Sequence, residues 1–414
     1  MRIAMAGCLC IPSSAQSVEA FLQWAAAHAA PIPKAVGLAN LIGSARLVAL
    51  GEPAHGTHEP LSFRNALFRD LVESQGFTAI ALETGFPESA RIEEFINGGD
   101  DDPLKAARKG FTWGFGELSE NQELITWMRK YNADHSHGRK LHFYGIDLSL
   151  GGPSGSTPTP LALTNALTYL NRVDAVAAAH FSHRLDPYLK SFDQSDALCA
   201  AIDDLVAFLE RERPTFIAAS SAREFEYAHR NAVVAQQANR MFRVTPTAAA
   251  KDGIPPEAWQ AMSARDAAMA ENVLWALAQE GLDGRVLLFA HNAHIKNAPT
   301  RGGVWTSLSQ PPEAMGAYLK SSLAESMVTI GGVSNEKSPR VAIENSFEEP
   351  LASLGLNPFM LDLRTAAGDP VASAWLRQDR NIRTNRETFL TVRPGLAFDA
   401  VIYWDKLTPS RPSE

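Results

Sequence analysis

Cysteine is scarce: Cys8, Cys10 and Cys199 are the only three in 414 residues. They cannot build a disulfide framework, and Cys8 and Cys10 stand too close for an easy mutual bridge. A reducing compartment is therefore expected, and the chain is read as cytoplasmic. The opening "MRIAMAGCLCIPSSAQS" has one Arg, a short apolar stretch and a small-residue tract, but its apolar part is at the short end and its charged region minimal for an export signal, and export is not expected. Long apolar runs are missing as well. Nothing approaches the ~20 residues of a membrane-spanning helix, so no membrane partner is expected. Cationic excess is absent, since 38 Lys and Arg stand against 46 Asp and Glu, net −8, which leaves no electrostatic footprint for nucleic acid.

Several catalytic signatures are missing too. The nearest approach to a G-x-S-x-G elbow, "GPSGS" from Gly152, has the wrong spacing and lies in a linker. His58 and Glu59 begin no H-E-x-x-H, because Pro60, Leu61 and Ser62 follow. Neither a Walker A loop nor G-x-G-x-x-G occurs, and no cofactor is expected.

What is present is an ordinary globular composition, 45% hydrophobic and 20% charged. Short apolar runs alternate with segments of helical period. That pattern predicts an α/β fold, with a mainly parallel central sheet flanked by helices and an inserted helical subdomain. Strands are expected at 46–50, 78–82, 141–146, 285–290, 327–331, 359–363 and 400–404. Helices are expected from His58, at 88–96, and after a capping box formed by Ser119 and Gln122. Residues 1–40 read as an N-terminal segment, flexible at its start, and 41–160 as the first part of the catalytic body. Residues 161–250 read as the helical insertion and 251–414 as the second part of the body. No internal repeat is evident, and the oligomeric state is left open.

The ends of the strands carry the chemistry. Glu52 and His55 follow the first strand, Glu83 the second and Asp147 the third, while His291 and His294 follow "RVLLFA". Ligands of open α/β sheets bind outside the carboxyl ends of the strands, so these groups are expected around one cleft, with the 161–243 helices as a wall. A histidine beside carboxylates can activate water directly, and Arg64 in the following helix can neutralise a carboxylate or meet an oxyanion. The same His55, His291, His294 and Glu83 also suit a metal, either in a metal-dependent hydrolase or in a non-catalytic haem or metal-binding module. Spacing alone does not separate these readings.

The ordered segments "GEPAHGTHEP", "ALETGF", "FYGIDLS", "RDAAMAENVLWAL" and "LLFAHNAHI" resemble the erythromycin esterase family, as do "PEAMGAYL" and "AFDAVIYW" near the C-terminus. The resemblance implies a carboxylic ester hydrolase that opens macrolide lactones without a required metal, and hence antibiotic resistance. It implies a small-molecule ester, a macrolide, as the partner. It makes His55 the base, supported by Glu52 and Glu83, with Arg64, His291 and His294 completing the catalytic set. Pro53, where a small residue is expected, stiffens the turn between Glu52 and His55.

Around that set, Trp113 and Phe115 in "FTWGFGE" suit a pocket wall. Arg265, Asp266, Asn292 and Asp147 are further candidates for substrate binding. His58 reads as a helix-terminus residue rather than a catalytic one.

Overall fold

The computed structural model describes residues 14–32, 35–148, 160–189, 195–246, 254–336, 343–385 and 388–410. Cys8, Cys10, the opening segment and nearly all of the 151–160 linker lie outside these residues. Eight strands form one sheet: β1 (Ala30–Pro31), β2 (Leu47–Glu52), β3 (Ala79–Gly85), β4 (His142–Asp147), β5 (Val286–His291), β6 (Met327–Ser334), β7 (Phe359–Asp362) and β10 (Ala400–Trp404), in the spatial order β1-β7-β10-β6-β2-β5-β3-β4. From β10 to β4 every pair is parallel, and β7 pairs antiparallel with both β10 and β1. A separate antiparallel hairpin consists of β8 (Arg380–Thr384) and β9 (Thr388–Val392).

The central strands are apolar without interruption because both faces of the sheet are covered. Every residue of β2, β3, β5 and β6 is buried, as a parallel sheet between helical layers requires. Successive side chains alternate between the layers. Leu47 and Ala49 join a core with Met269 and Val273, whereas Val48 and Leu50 join one with Leu67, Phe68 and Phe95.

The seven expected strands are all present, and β2, β3, β4 and β5 run one to three residues further, carrying their polar ends into the sheet. The two-residue β1 and the β8–β9 hairpin were not anticipated. The capping box needs correction: Leu118 is the N-cap of the Ser119–Ala133 helix, with no side-chain cap bond. Gln122 instead donates to the Gly116 carbonyl at 3.0 Å. Five helices, Leu161–Val173 to Ala222–Arg243, pack around their own apolar cluster and join the body through Phe86, Leu148 and Ala268. No described helix is long and apolar enough to cross a membrane.

Candidate active site

β2 runs into its turn because glycine permits it. A Cβ on Gly51 would overlap Asn292 Oδ1 and crowd Ile295, and Gly56 takes a left-handed φ of 66°. The turn is then tied from outside. Asn385 N donates to the Pro53 carbonyl at 3.1 Å and Ser410 N to that of Gly56 at 2.8 Å. His55 N donates to Asn385 Oδ1 at 3.3 Å. His55 Nδ1 meets Glu52 Oε1 at 2.7 Å, and since an ionised carboxylate only accepts, Nδ1 carries the proton and Nε2 is left as the basic atom. Burial lowers the imidazole pKa, but Glu52 and, further off, Glu83 outweigh it, so His55 stands above the ordinary 6.5.

β3 and β5 deliver the next groups. Glu83 Oε2 accepts His291 N at 2.9 Å, while Oε1 faces Arg265 Nη2 at 3.3 Å and His294 Nε2 at 3.4 Å. Burial opposes the charge on Glu83, but His294, His55 and Arg265 hold it well below the usual carboxylate range. His294 Nδ1 lies 2.8 Å from Asp266 Oδ1. Two carboxylates thus outweigh its burial and raise its pKa to about 10, so it is an imidazolium at neutral pH.

His291 is the opposite case. Burial first, then the charge of His55, push it well below 6.5. Its Nδ1 accepts Ala293 N at 3.2 Å, which leaves the proton on Nε2 facing Thr384 Oγ1. The His55 and His291 rings are 4.8 Å apart.

These groups border a cavity of about 450 Å³, lined by His55, Glu83, Arg265, Asp266, His291 and His294 and by the apolar surfaces of Trp113, Phe115, Met262 and Trp305. Phe115 packs 5.3 Å from the His55 ring, and Arg265 lies over Trp113 at 5.3 Å. Glu52 is buried immediately behind His55.

Three candidates stand back from the cavity. Arg64 is fully buried, hydrogen-bonded to Asn65 Oδ1 and stacked over Phe289. Burial draws its pKa down to about 10 while Glu52 and Glu120 support its charge. Asn292, expected at the substrate, is fully buried and clamps β6, with Oδ1 accepting Gly332 N at 3.1 Å and Nδ2 donating to Gly332 O. Asp147, also expected at the substrate, is fully buried and grips Arg265 Nε at 2.9 Å and Nη2 at 2.6 Å, with the Trp113 indole N–H at 3.2 Å. The expected wall of 161–243 helices is also corrected, since none of their described residues lines the cavity. Their apolar faces are spent on one another and on the body.

The wall comes instead from the Trp259–Gln279 helix, the segments around Thr300, Trp305 and Glu313, and Thr384, Asn385 and Thr388 of the hairpin. Sequence reasoning missed the hairpin residues. The burial of "RNIRT" alternates, but the sequence does not show it because two of its three buried positions, Arg380 and Thr384, are polar. His58 turns away, with Nδ1 2.6 Å from Glu120 Oε1.

Among the described residues no group of three or more His, Cys, Asp or Glu is arranged to hold a metal ion. The ring nitrogens explain this: those of His294 face carboxylates, those of His291 face Ala293 and Thr384, and only His55 keeps one free towards the cavity.

Known proteins resemble this chain in sequence and in fold. A family model described as erythromycin esterase matches residues 72–407. Erythromycin esterase type II of Escherichia coli is 27% identical over 311 residues, 71% of this chain and 70% of that protein. Erythromycin esterase type I of Escherichia coli is 33% identical over 120 residues, 27% of this chain and 26% of that protein. A Bacillus cereus protein of solved structure superposes with a TM-score of 0.77 at 22% identity, over 96% of this chain and 99% of that one. A succinoglycan biosynthesis protein gives 0.76 at 20%, covering 95% and 98%. A mutant of the erythromycin esterase EreC in its open conformation gives 0.65 at 19%, covering 91% and 94%. At these identities the solved structures establish a shared fold.

Proposed function

The chain belongs to the erythromycin esterase family, and from that premise we propose that it hydrolyses a carboxylic ester, a macrolide lactone, by water activated directly on His55, without a metal. The observation that carries this reading is the single free ring nitrogen of the cavity, His55 Nε2, with Glu52 at 2.7 Å behind it.

Water bound at Nε2 gives its proton to His55 as its oxygen bonds to the ester carbon. Glu52 accepts Nδ1–H and stabilises the imidazolium as it forms. Arg64 supports the charge of Glu52 from behind. Arg265, whose Nη1 has no carboxylate partner, and the charged His294 present positive charge to the tetrahedral oxyanion. Collapse of the intermediate breaks the bond to the alkoxy oxygen, which takes the proton back from His55. The products are an alcohol and a carboxylic acid, which releases its proton to solvent to become a carboxylate, and both remain on one molecule when the ester is a lactone. His291 stays neutral beside His55 and adds no opposing charge.

Trp113, Phe115 and Trp305 offer apolar surface to a large, weakly polar ring. We place the protein in the cytoplasm, where opening a macrolide would confer resistance to it.

A panel of macrolides tests the reading. His55→Asn is expected to fold, bind substrate and lose 10²–10⁴-fold in kcat, about the share of a general base. His58→Asn, facing Glu120, should cost far less. Loss of activity with His58→Asn but not His55→Asn would move the base elsewhere. Absence of hydrolysis of any ester by the wild type would end the esterase reading.

A further inference from the structure

Most polar side chains of the cavity are already committed within the protein. Thr384 Oγ1 is on His291 Nε2, Thr300 Oγ1 takes Lys296 Nζ at 2.7 Å, and Glu83 and Asp266 hold the cations Arg265 and His294. Asn385 is different. It lines the cavity from the end of β8, its main-chain N–H is on the Pro53 carbonyl at 3.1 Å, and its Oδ1 accepts His55 N at 3.3 Å.

The last contact decides which way the amide faces. A main-chain N–H can only donate, so the oxygen end must be the one turned to His55. The Nδ2 end is therefore turned away from that contact, and it makes no hydrogen bond to any described residue. The residue sits at a left-handed φ of 48°, a conformation Asn adopts more readily than most residues. Two hydrogen bonds to the catalytic turn thus fix a free N–H₂ donor beside the base before any substrate arrives.

We infer that Asn385 is a catalytic residue, whose Nδ2 donates a hydrogen bond to the ester carbonyl oxygen and holds it as it becomes the oxyanion. The inference rests on the ester hydrolysis proposed above. It adds a neutral donor on the His55 side of the cavity to the positive charge of Arg265 and His294. Because the amide is held by the turn that carries His55, base and donor keep a fixed spacing. A donor set in advance at that position accounts for about 10²–10³-fold in rate.

Two variants separate donation from tethering. Asn385→Asp keeps an oxygen for His55 N but removes the donor and adds negative charge. Asn385→Gly keeps the left-handed backbone and its N–H but has no side chain. On a macrolide that the wild type opens, each should lower kcat/KM by about 10²–10³ with KM little changed. Each should also weaken a cyclic phosphonate mimic of the tetrahedral intermediate by the same factor, while affinity for the ring-opened product stays within about threefold. The parallel loss in mimic affinity is the readout that a merely structural role would not move.

The inference falls if either variant keeps its kcat within about threefold of wild type, or if kcat drops while the mimic binds as before. Those outcomes leave the His55 reading intact so long as His55→Asn is inactive. A wild type that opens no ester overturns the site reading and this inference with it.

Discussion

Glu52 and His291 are the last paired positions of β2 and β5, so neighbouring strands bring a carboxylate and an imidazole to the same level of the sheet. Their tasks are opposite. Glu52 raises the proton affinity of His55, whereas burial keeps His291 uncharged against that same ring. With His294 held as a cation, three histidines within one cavity are driven to three different protonation behaviours.

The pH dependence follows from that separation. His55 works deprotonated, so kcat/KM should rise with pH through a midpoint above 6.5. Glu52→Gln removes the nearest charge that raises this pKa while leaving the burial that lowers it. Its midpoint should therefore move to lower pH, with a reduced plateau, in a pH–rate profile. A midpoint that stayed in place would mean that the titrating group is not paired with Glu52.

His294 makes a prediction about stability. Its folded pKa of about 10 exceeds the ordinary 6.5, so the stability it contributes is full below 6.5 and is lost as pH rises through 10. The difference in unfolding free energy between wild type and His294→Gln should therefore be largest near pH 6 and shrink steadily towards pH 10. Denaturant melts across that window measure it, and a difference that grew with pH would refute the charged assignment.

Asn292 tests the separation of frame from chemistry. Asn292→Ala leaves the N–H and C=O of Gly332 unmet inside the protein, a loss of about 1–3 kcal/mol in denaturant unfolding. A variant as stable as wild type would show that the clamp on β6 contributes nothing.

Exhaustive chelation with EDTA or phenanthroline should leave ester hydrolysis unchanged, because the ring nitrogens of His291 and His294 are already occupied by carboxylates, a hydroxyl and a main-chain N–H, and His55 alone would be left to ligate. Activity abolished by chelation and restored by one added divalent ion would refute the direct role of His55.

The strand ends were legible because an apolar run that stops at Glu52, Glu83 or His291 states both the strand and where its edge lies. The α/β body followed from the same pattern, whereas the ordered motifs spoke through their resemblance to a known family. What escaped was set by direction rather than identity. "HNAH" reads equally polar whether Asn292 faces a ligand or a neighbouring strand, and Asp147 looks the same reaching substrate or gripping Arg265. The 161–243 helices showed apolar faces but not what covers them. The hairpin was hidden because Arg380 and Thr384 put polar side chains at its buried positions, and Asn385 belongs to no motif at all.

The β8–β9 hairpin stands outside the eight-stranded sheet, joined to the body through the Asn381–Ser346 bridge and through Ile382, Leu390 and Val392 buried in its core. Thr384, Asn385 and Thr388 thus border the cavity from an attachment, while Glu52, Glu83 and His291 are built into the sheet itself. The outline of the cavity and the position of its strand-end groups are therefore set by separate parts of the fold, joined at the His55 turn where Asn385 hooks on.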